Sequence, residues 1–159
     1  MIPGDRLVCA FVEPQVVGLR FEKWLLHVTI VPWFRLDDSS EVIARGLEQA
    51  LTSIEPFEAT VVGQTMMGLR RNRPAMLIGQ PTPFAEIEGK VRAYLHKKRA
   101  WLVDETTKRH YDFRPHVTVQ GDKSLNLGDS FRCATLYIVE QHGNYKEIVS
   151  EIGLQKYHG

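Results

Sequence analysis

At 159 residues, 43% of them hydrophobic and 25% charged, the chain has the size of one domain and enough apolar content for a core without disulfide staples. A net charge of +1 excludes a protein that binds polyanions through its global charge, so any basic site must be local. Two cysteines far apart in sequence, Cys9 and Cys133, with no C-x-x-C or Cys/His cluster, argue against structural zinc and for small core residues in a reduced, cytoplasmic protein.

The N-terminal apolar stretch is ended by Glu13, too soon for a signal peptide or a membrane span. Residues 7–14, LVCAFVEP, read as a buried strand stopped by proline, and 24–34, WLLHVTIVPWF, as a second. Residues 37–54 have the period of a helix, with Val42, Ile43, Leu47, Ala50, Leu51 and Ile54 on one stripe. Asp38 and Glu41 are spaced as a capping box at its start, and Gly46 weakens it slightly. Strands over 57–70 and 75–80 flank the polar turn RRNRP. Residues 81–101 predict a second helix with Thr82 as N-cap and Pro83 at its first position. A polar loop over 104–112 leads to a strand at 114–120. Strands at 131–141 and 145–154 close the chain around the turn His142-Gly143-Asn144. Consecutive strands joined by hairpin-sized turns imply an antiparallel α+β domain. No linker divides it, and two similar lobes in one domain would fit.

The tripeptide His-Val-Thr occurs twice, at 27–29 and at 116–118, each inside a β-branched apolar run. On a strand, residues i and i+2 share a face about 6.6 Å apart. His27 and Thr29 therefore point one way and Leu26, Val28 and Ile30 the other, and the same holds for His116 and Thr118 against Val117 and Val119. The apolar sets can bury against helices. The polar sets, if their strands face one another across a cleft, gather two imidazoles and two hydroxyls. That set suits phosphodiester chemistry, with one imidazole as base and one as acid near neutrality. The threonine hydroxyls donate to phosphate oxygens, and no metal or other cofactor is required. A zinc site is disfavoured, since two histidines are too few ligands.

Two H-x-T motifs about ninety residues apart, the second preceded by proline in RPHVTV, resemble the two-histidine phosphoesterase superfamily, and within it the 2′-5′ RNA ligase-like (cyclic phosphodiesterase) proteins. The resemblance spans essentially the whole chain. It implies a bilobal α+β fold of duplicated antiparallel sheets with helices packed outside and both motif strands lining a central cleft. It implies one domain over 1–159, with lobes of about 1–70 and 71–155 between which terminal strands can be exchanged. It also implies a hydrolase that opens cyclic phosphates on RNA ends or nucleotides without metal, in some members with reverse 2′,5′ ligation. By that resemblance His27, Thr29, His116 and Thr118 match the catalytic positions. The chain is short for the family, and the bulky VPWFRL after the first motif sets its site apart.

Grip residues follow from position. Arg114, two before His116, either reaches phosphate beside it or forms a surface ion pair. In KRHYDFR, residues 108–114, Tyr111 or Phe113 can stack a base. Arg70, Arg71 and Arg73 fit a solvated turn or an RNA backbone. Trp33 and Phe34 are either a stacking wall or core. KKRAW, residues 97–101, suits a helix C-terminus. His96, His110, His142 and His158 read as surface residues, with only His110 near the site. The expected partner is RNA or a nucleotide bearing a cyclic phosphate, with no membrane, and the protein is expected to be a monomer. A non-catalytic RNA- or nucleotide-binding module and a purely structural domain are the rival readings.

Overall fold

The computed structural model describes residues 1–68, 70–107 and 113–155. Among them the chain forms β1 (Arg6–Phe11), β2 (Arg20–Phe21), β3 (His27–Arg35), α1 (Ser40–Ala50), β4 (Phe57–Met67), β5 (Arg73–Ile78), α2 (Phe84–Lys97), β6 (Trp101–Leu102), a 3₁₀ helix (Val103–Thr107), β7 (His116–Thr118), β8 (Ser130–Cys133), β9 (Thr135–Gln141) and β10 (Lys146–Gly153). Every pairing among these strands is antiparallel, in the order β2-β10-β9-β1-β3-β7-β5-β4-β8, with β6 on the far end of β3. The expected α+β class with two helices and an antiparallel sheet is what the chain adopts. No helix among the described residues is long and apolar enough to cross a membrane.

One face of the sheet carries the main core. Val8, Val28, Ile30, Phe34, Met76, Ile78 and Val117 meet Ile43, Leu47, Ile87 and Val91 of the two helices there. On the opposite face Leu7, Cys9, Phe11, Tyr137, Val139 and Ile148 form a second cluster, against which Leu19, Phe21, Trp24, Leu25 and Trp33 pack. Both cysteines are buried and free.

The single strand expected over 131–141 divides at Ala134. Its first part, β8, pairs with β4 at one end of the sheet, while β9 pairs with β1 and β10 on the other side. The run hid the division because buried apolar residues stand on both sides of it, Phe131 and Cys133 before and Leu136 to Val139 after. The motif strands also differ from expectation. Instead of facing one another, β3 and β7 are adjacent, with Val28 opposite Val117. This seam joins a half-sheet from residues 6–35 and 135–153 to one from residues 57–78 and 116–133.

The helix starts are also shifted. Ser39, not Asp38, is the N-cap of α1, its hydroxyl accepting the Val42 N–H at 3.3 Å. Ser39 takes the extended backbone that a cap needs. Asp38 lies one residue outside, where its carbonyl accepts from Arg6 and its carboxylate is 3.7 Å from Lys98. At α2 the Thr82 hydroxyl accepts from Phe84 at 3.4 Å, but Pro83 itself occupies the cap position. The β9–β10 turn is closed by Gly143 at φ +81°, a conformation that favours glycine.

Gly46 has a packing role that composition does not reveal. A Cβ placed there would lie 2.5–2.6 Å from the Tyr94 ring carbons of α2. Overpacking costs about 1–3 kcal/mol, whereas alanine regains about 1 kcal/mol of helix propensity. Gly46→Ala is therefore expected to destabilise the protein in urea titration, and to become stabilising in a Tyr94→Ala background. Stabilisation by Gly46→Ala alone would refute this helix contact.

Candidate active site

The Val28–Val117 pair sets the geometry. Both valines are fully buried in the main core. In antiparallel pairing directly opposed side chains share a face, and neighbours along each strand take the other. His27 therefore lies opposite Thr118, and Thr29 opposite His116, all four on the face away from the helices. The two histidines are diagonal neighbours, a relation that spans about 7–8 Å between strands. Across the sheet this row continues through Phe11 opposite His27, Cys9 opposite Thr29, Ala75 opposite Thr118 and Leu77 opposite His116.

The imidazoles are oriented alike. Nδ1 of His27 donates to the Leu25 carbonyl at 2.7 Å, and Nδ1 of His116 to the Arg114 carbonyl at 2.7 Å. A carbonyl only accepts, so Nδ1 carries the proton in each ring and Nε2 is left for chemistry. In both motifs the carbonyl belongs to the residue two before the histidine. The Thr29 and Thr118 hydroxyls are partly exposed and make no hydrogen bond among the described residues.

Their surroundings differ. His27 is 8% exposed. Its ring is stacked on Trp24 at 4.2 Å between centroids and 29° between planes, and Phe11 lies 6.1 Å away. Burial, opposed by the Leu25 carbonyl and aided by nearby His116, pulls its pKa down to about 4. His27 is thus neutral across the physiological range. His116 is partly exposed.

The other expected residues divide. The Arg114 side chain is exposed, and its carbonyl is what orients His116. Trp33 belongs to the aromatic wall, 6.3 Å from Trp24, whereas Phe34 is fully buried in the main core. Phe113 is partly exposed and packs against the main core. Tyr111 lies outside the described residues, as do His110 and His158. Arg73 alternates onto the site face two residues beyond Ala75, while Arg70 and Arg71 sit in the turn before it. His96 bonds Glu105 within a network in which Arg92 binds Glu88, Asp104 and Glu105. His142 stacks on Tyr145.

Trp24 and Phe11 were missed from sequence because 24–26 read as the start of a strand. Leu26 still pairs with Val12 just past β1, but before it the chain leaves the strand and Trp24 stacks on His27. The available signal was an aromatic three residues before a strand histidine. A cavity of about 420 Å³ opens at the same end of the sheet, lined by Val12, Glu13, Leu25, Leu26, Lys123 and Leu125. Its size falls within the roughly 300–1,000 Å³ usual for small-molecule sites.

Residues 13–144 match the family model described as the 2′-5′ RNA ligase superfamily. No curated protein matches the chain in sequence. Among solved structures the chain is similar to E. coli LigT complexed with 3′-AMP (TM-score 0.61, 13% identity, covering 98% of this chain and 100% of that one). It is similar to LigT complexed with ATP (0.59, 13%, 98% and 100%). It is also similar to TT0787 of Thermus thermophilus (0.58, 13%, 97% and 100%). At that identity the likeness establishes the fold.

Proposed function

The chain belongs to the 2′-5′ RNA ligase superfamily, and from that premise we propose that it is a metal-independent phosphodiesterase opening 2′,3′-cyclic phosphates on RNA ends or nucleotides. The observation that carries this reading is the crosswise register of β3 and β7, His27 opposite Thr118 and Thr29 opposite His116. Histidines and threonines that share one face of the sheet support a site in which two imidazoles and two hydroxyls act on one phosphate. The lobes expected at about 1–70 and 71–155 correspond here to two half-sheets, residues 6–35 with 135–153 and residues 57–78 with 116–133, joined where the motif strands pair.

His27, neutral and Nδ1-protonated, accepts the proton of an attacking water at Nε2 as the water oxygen bonds to phosphorus. His116 donates its Nε2 proton to the 2′- or 3′-oxygen as that P–O bond breaks. Thr29 and Thr118 donate to the non-bridging oxygens, steadying the charge that builds there. The product is a monophosphate with one free hydroxyl, and both rings return to their starting states by exchange with solvent. With a 5′-hydroxyl in place of water, His27 taking its proton and His116 protonating the departing 3′-oxygen, the same groups form a 2′,5′ bond. Arg114, Tyr111, Phe113 and Trp33 are the substrate-gripping candidates. The nucleotides held by the LigT structures support a nucleotide-sized substrate here.

The test is an end-group assay on a short RNA bearing a 2′,3′-cyclic phosphate, in EDTA, with 2′- and 3′-monophosphates resolved. One isomer is expected. His27 sits near pKa 4, so the base form persists above about pH 5 and the rate falls on the acid side only as pH approaches 4. An acid limb near the ordinary histidine value of about 6.5 would assign the base role elsewhere. Salt-sensitive binding without turnover would make the protein a nucleotide-binding module.

A further inference from the structure

The two half-sites match in sequence and register but not in their cover. Three residues before His27 stands Trp24, and three before His116 stands Phe113. Phe113 packs against the main core, whereas Trp24 lies flat on its histidine. The repeat is broken at this position.

We propose that Trp24 is a positioning residue of the site, its indole fixing the His27 imidazole with Nε2 toward the phosphate position and shutting water from the ring. The catalytic consequence rests on the phosphodiesterase reading, while the positioning itself does not. Three contacts hold the ring: the Leu25 carbonyl on Nδ1, the Trp24 face, and Phe11 at 6.1 Å with a 59° tilt. Trp24 is in turn held by Phe21 at 5.3 Å and Trp33 at 6.3 Å. Lys146 Nζ lies 5.4 Å from its ring centroid while donating to the Glu22 carbonyl.

The charged and titratable groups around His27 come from each neighbouring element. His116 faces it from β7, and Lys146 approaches from β10 through Trp24. Tyr137 of β9 meets Phe11 and bonds Gln15, and Glu13, just past β1, is exposed. Of these, His116 opposes a positive charge on His27. An aromatic face by itself favours a cation, so Trp24 acts in two opposing senses. Burial is the largest influence on His27. Trp24, stacked on the ring, is part of that burial, and on this proposal its exclusion of water keeps the ring neutral.

The experiment is an NMR titration of the His27 ring in the full chain, without substrate, comparing Trp24→Ala, Trp24→Leu and Trp24→Phe with the original. The original is expected to titrate near 4 in a single Nδ1–H tautomer. Trp24→Ala raises the midpoint by at least about one unit, tenfold in protonation at fixed pH, and mixes the tautomers. Trp24→Leu, which keeps the site dry without a flat surface, preserves the low midpoint and loses the single tautomer. Trp24→Phe preserves both. An unchanged midpoint and tautomer in the folded alanine and leucine variants would overturn the proposal. Should alanine fail to fold, the leucine and phenylalanine variants still decide it. In turnover, the acid limb of the rate moves up with the midpoint while KM holds. Titrations as expected in a protein with no turnover would remove the phosphodiesterase reading and leave Trp24 as the positioning residue.

Discussion

On the proposed phosphodiesterase reading, alanine at His116 is expected to lower the rate of cyclic-phosphate opening by about 10²–10⁴-fold, the range that a positioned acid or base contributes, with KM little changed. His116 is the cleaner of the two histidines to remove. It is partly exposed and its one described hydrogen bond is to the Arg114 carbonyl, so truncation leaves no void in a core. His27→Ala should lose as much activity, but it also empties the space beneath Trp24. The double variant should be scarcely worse than either single one, because acid and base act on the same transition state and their losses do not add. His142→Ala, which removes an imidazole stacked on Tyr145 far along the sheet, serves as the control and keeps full rate. Single-turnover rates on a cyclic-phosphate RNA measure all four. If His116→Ala retained more than about a tenth of the activity, well short of the loss expected for a proton donor, the proton-transfer roles would have to be abandoned.

Phe34→Ala is expected to cost about 3–5 kcal/mol of stability. Phe34 is fully buried on β3, opposite Arg6 of β1 and Leu102 of β6, and among the largest side chains of the main core. Its ring removes apolar area from water and fills space that surrounding strands cannot reclaim by collapse. A domain of this kind has about 5–15 kcal/mol in total, so the loss takes a large share of it. The measurement is the urea midpoint at unchanged slope. Val42→Ala, at a side chain 48% exposed, should move it by no more than about 0.5 kcal/mol. A Phe34→Ala loss below about 1 kcal/mol, outside the range for an unrelaxed cavity, would mean that the core repacks there.

How much of this could be read from the residues alone depends on the range of the interaction. The shared face of His27 and Thr29 follows from the strand period, which is local. The register that brings Thr118 opposite His27 joins residues some ninety positions apart, and nothing local encodes it. The division at Ala134 was hidden because FRCATLYIVEQ is equally apolar on both sides of it. Competition among adjacent capping residues put Ser39 where Asp38 was expected. Arg114 was noticed for its charge, yet its peptide carbonyl, which any residue would supply, is the group that meets His116. Trp24 was passed over because an aromatic at the head of an apolar run reads as strand, and only the fold turns it back over the imidazole.

The division at Ala134 also bears on how the protein is made. β1 finds its partner β9 roughly 130 residues later, with Arg6 opposite Glu140. At about 5–20 residues per second, about 6–26 s of synthesis separate them. The His27 half-sheet, though built largely from the earlier-translated residues, stays open at the β1 edge until β9 has emerged. Completion of this part waits on long-range strand pairing of the kind that takes milliseconds to seconds. A nascent chain stalled before residue 135 would expose that edge to neighbouring ribosomes' products. Of the two half-sites, the one around His27 is translated earlier and completed later.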